Sequence, residues 1–351
     1  MSSPRPSPAE PLAARLAALP KAELHLHLEG AIEPSTVAEL AARHGDSISA
    51  AEVAARYATR DFSAFIEAYK WVTSYLRTPQ DYALLAQETA ERLLSQNVAY
   101  AEINLSAGVM LFRKQDAAAI VRAVCETVRR FEPRGLRVQW IFDCVRQFGP
   151  IPAMQVARLA VELRGEGVIA FGIGGDELAA PAAEFRGAFD YAAAGGLRRV
   201  AHAGEIGGPE SVRHAIDLLG AERIGHGIAV ARDPALVDLM REQSIPLEIC
   251  PTSNLRTGAL ARQIGRPSAA LSDHPLPGLL RSGLPLSIST DDPAMFETDL
   301  LREYGALIEM GLSTPELVRV AAAAFEGAFL PPAEKSAYLD MFHGRAAALG
   351  L

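Results

Sequence analysis

The chain has 351 residues, 49% of them apolar and 22% charged, with a formal net charge of −8. This composition supports a large buried core, and without basic blocks it argues against nucleic acid as the partner. Cys125, Cys144 and Cys250 lie far apart and form no CxxC, which excludes a disulfide framework and a cysteine-rich zinc site.

The N-terminal stretch has no continuous apolar h-region followed by a cleavage site, so no signal peptide is read. No charge-free run of about 18 apolar residues occurs, and no membrane span is expected. A reducing, cytoplasmic setting follows. Residues 1–10, rich in Pro and Ser, are expected to form a loose tail, and residues 11–351 a single domain.

Eight β-type runs follow in chain order. They are Ala22–Leu28, Val98–Leu105, Arg137–Val145, Val168–Gly174, Arg199–Ala203, Arg223–Gly227, Pro246–Cys250 and Leu286–Asp291. Helical candidates such as Pro150–Arg164 and Pro209–Leu219 separate them. Strands alternating with helices imply right-handed βαβ units and a parallel sheet, and eight of them suggest a closed (β/α)8 TIM barrel. The first connection is the exception, at roughly seventy residues several times a normal crossover. Phe62, Phe65, Tyr69, Trp71 and Tyr75 lie in it, several at helical spacing. Extra helices inserted after the first strand, across residues 45–95, either cover the barrel or form a lid over its mouth.

His25 and His27 are two residues apart in the first strand, so both imidazoles point to one face. Alone, such a pair is commonly structural. The fifth strand, however, ends in His202 with Glu205 just beyond it, the sixth carries His226, and the eighth runs into Asp291 and Asp292. A parallel barrel gathers all strand C-termini at one face, where catalytic groups sit. Those seven side chains should therefore meet in one cup. Three histidines and an aspartate suit a catalytic zinc that keeps a water position open, and an adjacent Glu and His supply proton transfer. Individually, Asp291-Asp292-Pro293 reads as a cap and Glu205 as a surface ion pair; jointly the bland readings lose weight. His44, His214, His274 and His343 fall in helices or loops and read as structural or exposed. Gly172–Glu177 is a glycine-rich turn after the fourth strand but not GxGxxG, because Glu177 takes the third glycine's place. It is either a tight turn or a close approach to a flat ligand.

The motifs Pro20–Gly30 (PKAELHLHLEG), Gly174–Glu177 (GGDE), His202–Glu205 (HAGE), Gly225–Gly227 (GHG), Glu248–Asn254 (EICPTSN) and Ser289–Pro293 (STDDP) resemble those of the adenosine deaminase family of metal-dependent amidohydrolases. The resemblance spans most of residues 20–330. It implies one Zn2+ held by His25, His27, His202 and Asp291. It further implies Glu205 as the acid that protonates purine N1 and His226 as the residue that polarises the attacking water. Asp292 would be a partner of N7, and the Gly175 amide of N3. The implied reaction is hydrolytic deamination of a 6-aminopurine nucleoside, adenosine-type to inosine-type with release of ammonia. The partner would be that small molecule.

Two departures concern the sugar side. HLEG, with Glu29, replaces the usual HLDG, whose Asp is associated with a ribose hydroxyl, and INLSAG (Ile103–Gly108) stands where a Tyr-Ser-Pro-like stretch is common. Glu29 is expected either to face the sugar, as a substrate-binding residue with a longer reach, or merely to cap the next turn ahead of Pro34. Aminodeoxyfutalosine and adenine deaminases are similar relatives that also change this region; adenine deaminases tend to replace the GDE segment that is intact here. Another mononuclear metal hydrolase and a non-catalytic nucleoside-binding barrel are the remaining alternatives. His27-Leu28-Glu29 spells HxE, but with no PCxxC the unrelated zinc deaminase fold is disfavoured.

Overall fold

The computed structural model describes residues 11–59 and 61–351; the expected N-terminal tail, residues 1–10, lies outside the described residues. Eight parallel strands form one sheet in chain order: β1 (Lys21–His27), β2 (Val98–Leu105), β3 (Arg137–Val145), β4 (Val168–Gly174), β5 (Arg198–Ala203), β6 (Arg223–His226), β7 (Leu247–Ile249) and β8 (Leu286–Ile288). The sheet closes on itself just past β8, where Leu26 bridges Asp291. The His27 amide donates to the Asp291 carbonyl at 2.7 Å and the Asp291 amide to the His25 carbonyl at 3.0 Å. The seam of this TIM barrel is therefore made by residues read from the sequence as functional.

The later strands end earlier than the apolar runs suggested. His226 (φ 59°) and Asp291 (φ 64°) sit in the left-handed region, where side chains with a Cβ are sparse and backbone strain gathers at functional sites. Such a residue turns the chain out of the strand and presents its side chain to the barrel mouth.

The long first connection is helical. Pro34–Arg43, Ala50–Tyr57, Phe62–Val72 and Pro79–Ser95 follow one another, and capping explains each start after the first. Ser49 and Glu52 make a capping box, the Asp61 side chain accepts from the Ala64 amide, and Thr78 and Asp81 make a second box. Helix 62–72 buries Phe65, Ala68 and Val72 against the body and turns Phe62, Ile66 and Tyr69 partly outward.

At the opposite end of the barrel, Lys21 donates to the carbonyls of Ala17, Leu19 and Gln96. Above it the buried Arg223 pairs with Glu102 at 2.6 Å and Glu248 at 2.5 Å and stacks on Phe329 at 3.7 Å. A buried charge needs such pairing and leaves little freedom to either partner. Among the described residues, no helix is long and apolar enough to cross a membrane.

Candidate active site

Strand alternation brings His25 and His27 to the same side of β1, and the barrel brings β5 and the end of β8 to meet them. One nitrogen each from His25, His27 and His202 and one oxygen from Asp291 all lie within 4.8 Å of one another. His25 Nε2 and His27 Nε2 each stand 3.4 Å from Asp291 Oδ1, and the Nε2 atoms of His27 and His202 are 3.1 Å apart. The far sides of two rings are tied down. His25 Nδ1 faces Glu248 Oε2 at 2.9 Å, and His202 Nδ1 the Ile173 carbonyl at 2.9 Å. Asp291 Oδ2 accepts from the Ser253 hydroxyl at 2.6 Å.

Electrostatics suit a cation. Burial and neighbouring imidazoles hold His202 well below the usual imidazole range, and burial takes His27 down to about 4. Burial would raise Asp291, but the His25 ring, with Nε2 3.4 Å away, and the surrounding imidazoles carry it well below the carboxylate range. Burial also opposes charge on His25, yet the close Asp291 carboxylate and the hydrogen-bonded Glu248 take it up to about 10. His25 Nε2 is buried without a hydrogen-bond partner. Convergent Nε2 atoms, an ionised carboxylate and an orphaned donor nitrogen are the set that a divalent ion with N/O preference takes.

Around the cup stand the proton-handling groups. Glu205 lies on the loop after β5, and that loop is fastened by one carboxylate. Glu177 accepts from the amides of Gly204 (2.5 Å), Glu205 (3.2 Å), Ile206 (2.9 Å) and Gly207 (2.7 Å), and from the Ser211 hydroxyl. Glu205 Oε2 is 3.7 Å from His226 Nε2, and its other oxygen accepts from Thr257 at 3.4 Å. Burial and the charge of Asp291 push Glu205 well above the carboxylate range, so it holds a proton. His226 Nδ1 meets Asn254 Nδ2 at 3.0 Å, and Asn254 Oδ1 meets His274 Nε2 at 3.3 Å. With the amide assigned in this sense, Nδ1 accepts and the His226 proton sits on Nε2, aimed at Glu205 and at Asp291 Oδ2, 3.9 Å away. Asp292, buried beside Asp291, is likewise pushed up, and its Oδ1 has no hydrogen-bond partner. Gly30 makes room for it, since a Cβ there would come within 1.7 Å of that oxygen.

Residues 20–343 match the family model described as adenosine deaminase. The chain belongs to the adenosine deaminase family. It is 39% identical over 336 residues to the aminodeoxyfutalosine deaminase of Streptomyces coelicolor, covering 94% of this chain and 85% of that one. To the adenine deaminase of Rhizobium leguminosarum it is 34% identical over 323 residues, 92% and 98% of the two chains. Among solved structures it is similar to an amidohydrolase from Burkholderia ambifaria with bound zinc, at a TM-score of 0.87 and 27% identity, covering 96% of this chain and 94% of that one. As a family member the protein is an aminohydrolase, and the barrel that carries its cup is the family's fold.

In this deaminase one cavity of about 270 Å³ is lined by His27, His202, Glu205, His226, Asp291, Asp292 and Gly175, together with side chains from helix 62–72, from the end of β3, Asp143 included, and from the segments after β2 and β3. Glu29 is placed differently from the sequence expectation. β1 ends at His27, Leu28 turns into the helical region (φ −56°, ψ −45°), and Glu29 begins a short 3₁₀ turn. Its buried carboxylate accepts from the Ser106 amide at 3.0 Å and the Tyr69 hydroxyl at 3.4 Å. Ser106 and Tyr69 line the cavity and Glu29 stands behind them. Of the remaining histidines, His274 is buried in the chain that orients His226, and His44 pairs with Asp81 at 2.9 Å.

Sequence reasoning missed four polar supports. Glu177 spoils a glycine pattern and closes a quoted motif, but carried no role of its own. Glu248 lay in a quoted motif without a role, and Asn254 likewise. Asp143, in the apolar run of β3, carried no signal beyond being a carboxylate in a strand otherwise rich in apolar residues.

Proposed function

We propose that the protein is a zinc-dependent deaminase of a 6-aminopurine nucleoside enlarged on its 5′ side, with aminodeoxyfutalosine preferred over adenosine and adenine. The observation that carries this reading is the make-up of the cavity. One part is the ligand cup with Glu205, His226, Asp292 and Gly175; beyond it stands a largely apolar wall of Phe62, Phe65, Ile66, Val109, Val145 and Phe148, interrupted by Lys70, Ser106 and Gln147. The first part offers a complement to a purine edge. A free base has no use for the second, and an apolar extension of the sugar does, because burying apolar area on both partners is what stabilises such contact. The intact Gly175-Asp176-Glu177 segment and the higher identity to the aminodeoxyfutalosine deaminase support the same ranking.

In this reading His25, His27, His202 and Asp291 hold the zinc, which when bound supplies Lewis-acid activation of water. Glu205 brings a proton to N1, which draws electron density from C6 as water adds there. His226, its tautomer fixed through Asn254 and His274, orients that water through Nε2–H. Asp292 presents a proton to N7, and the Gly175 amide, in a backbone with φ 90°, one to N3. Water adds to C6, the C6–N bond breaks with a proton delivered to nitrogen, and ammonia and the 6-oxopurine leave.

The test is ammonia release from purified protein against aminodeoxyfutalosine, adenosine, deoxyadenosine and adenine, with metal analysis of the same sample. Aminodeoxyfutalosine is expected to give the highest kcat/KM, with about one zinc per chain. A preference for adenine would overturn the nucleoside reading, and full activity without metal would overturn the zinc.

A further inference from the structure

The three histidines of the cup are not supported alike. His25 Nδ1 has the Glu248 carboxylate at 2.9 Å, and His202 Nδ1 has the Ile173 carbonyl at 2.9 Å. His27 Nδ1 makes no hydrogen bond among the described residues; it faces Asp143 Oδ2 at 3.7 Å. That oxygen is itself buried and without a partner. Two unsatisfied groups of opposite hydrogen-bonding sense thus point at each other, about 1 Å beyond a normal contact.

The position of Asp143 is built rather than incidental. It sits near the C-terminal end of β3, paired in register with Gly172 of β4. A Cβ at Gly172 would come within 2.1 Å of Asp143 Oδ1, and one at Gly174 within 3.7 Å of Oδ2. Only a bare backbone on β4 leaves room for this carboxylate to lie along the strand and aim inward. A buried carboxylate oxygen left unpaired costs on the order of 1–3 kcal/mol or more, so its retention in that groove calls for a donor.

We propose that Asp143 is a positioning residue for His27: it accepts the Nδ1–H of that imidazole and so fixes the tautomer in which Nε2 is free to bind metal. The inference rests on the metal reading of the cup. When a cation takes the lone pair of Nε2, the remaining ring proton is on Nδ1 and requires an acceptor. Asp143 then does for His27 what Glu248 does for His25 and the Ile173 carbonyl does for His202, and all three rings are held from behind.

The test is zinc release from the loaded enzyme to a chromogenic chelator, in wild type, Asp143→Ala and Asp143→Asn. Kinetics on adenine and aminodeoxyfutalosine are measured alongside. Removing such a partner typically weakens metal binding about 10–100-fold, and that loss is expected for Asp143→Ala. Asp143→Asn, isosteric and still able to accept through its amide oxygen, should recover most of it and guards against misfolding of the alanine variant. The ratio of kcat/KM between the two substrates, compared at full zinc occupancy, should stay at the wild-type value. Unchanged zinc release from both variants would overturn the proposal. A changed substrate ratio with unchanged release would assign Asp143 to the substrate instead. Wild-type protein that takes up no zinc would refute the metal reading itself, an outcome separable from the other two.

Discussion

The cavity has two walls built on different principles. The wall at the strand ends is polar and over-determined. His25 is held by Glu248, Asp291 by Ser253, His226 by Asn254, and the Glu205 loop by Glu177. Helix 62–72 forms much of the other wall and is held by packing of rings: Phe62 against Phe65 at 6.1 Å, Phe65 against Tyr69 at 6.0 Å and Phe65 against Phe296 at 5.0 Å. Its Lys70 is largely exposed and, among the described residues, pairs only with Glu67, a contact worth little in water. Hydrogen-bonded groups on strands keep fractions of an ångström, which proton transfer needs. Apolar packing is non-directional and tolerates exchange, so the helical wall is where discrimination between related substrates can change without disturbing the chemistry.

The sharpest way to break this division is at its polar extreme. Glu205→Gln preserves the shape of the side chain and removes the transferable proton. Turnover is expected to fall by about 10²–10⁴-fold, with zinc content and substrate affinity close to wild type. If kcat stays within a few-fold of wild type, proton delivery belongs to another group.

At the apolar extreme, Phe148 lines the cavity and stacks on the exposed Phe112, ring centroids 4.8 Å apart. Phe148→Ala should raise KM for a 5′-extended nucleoside about tenfold, equivalent to part of the burial of a Phe side chain. It should leave kcat and all constants for adenine nearly unchanged. A loss of kcat for both substrates would show that the two walls are not independent.

The two walls also differ in how far the sequence announces them. Histidines two apart, a His and a Glu closing one strand and paired aspartates closing another are rare residue types at positions the barrel must bring together. Topology alone converted those letters into a cup. The supports behind them gave no such signal. Asp143 sits in a run whose apolar neighbours say only strand, and Glu177 acts through backbone amides, which every sequence contains. Glu29 shows the limit of strand alternation: the rule holds while the strand lasts, and β1 stops at His27. On the helical wall, aromatic spacing indicated a helix, but whether a ring faces core or ligand depends on the helix's rotation. Phe65 does both, being buried and lining the cavity.

Glu29 lies where the walls join, since it ties Ser106 beside β2 to Tyr69 of the helix. Glu29→Asp shortens the reach by one methylene, enough to release one of those partners. A shift of roughly threefold in the kcat/KM ratio between adenosine and the 5′-extended nucleoside is expected, the scale of one modest hydrogen bond. An identical ratio in fully metallated variant would place specificity in the aromatic wall alone.

The smallest effect on turnover is expected behind the polar wall, at Glu303. This side chain is fully buried and accepts from the Thr252 amide at 3.1 Å and the Thr298 hydroxyl at 2.5 Å. Thr252 lies in the first turn of the helix Pro251–Arg256 that carries Ser253 and Asn254, so Glu303 braces the element that orients Asp291 and His226. Burial raises its carboxyl from the usual 4.5 to about 7, against the hydrogen bonds that favour the anion. Between those two values the folded protein binds a proton that the unfolded chain releases, so this group's contribution to stability is present below pH 4.5 and declines as the pH rises toward 7. The decline between pH 5 and pH 7 is on the order of 2 kcal/mol by linkage. Glu303→Gln accepts the same amide bond and cannot ionise. Its unfolding free energy should therefore fall less steeply than that of wild type over this window, with kcat near wild type at each pH. Glu29, also pushed up to about 7, contributes equally to both proteins and cancels in the difference, whereas Glu23, likewise raised to about 7, owes part of its shift to the Glu303 charge, so its own decline eases in the variant in the same direction. Parallel stability curves from pH 5 to pH 8 would mean that Glu303 is ionised throughout, and that the brace behind the cup is a buried anion rather than a neutral acid.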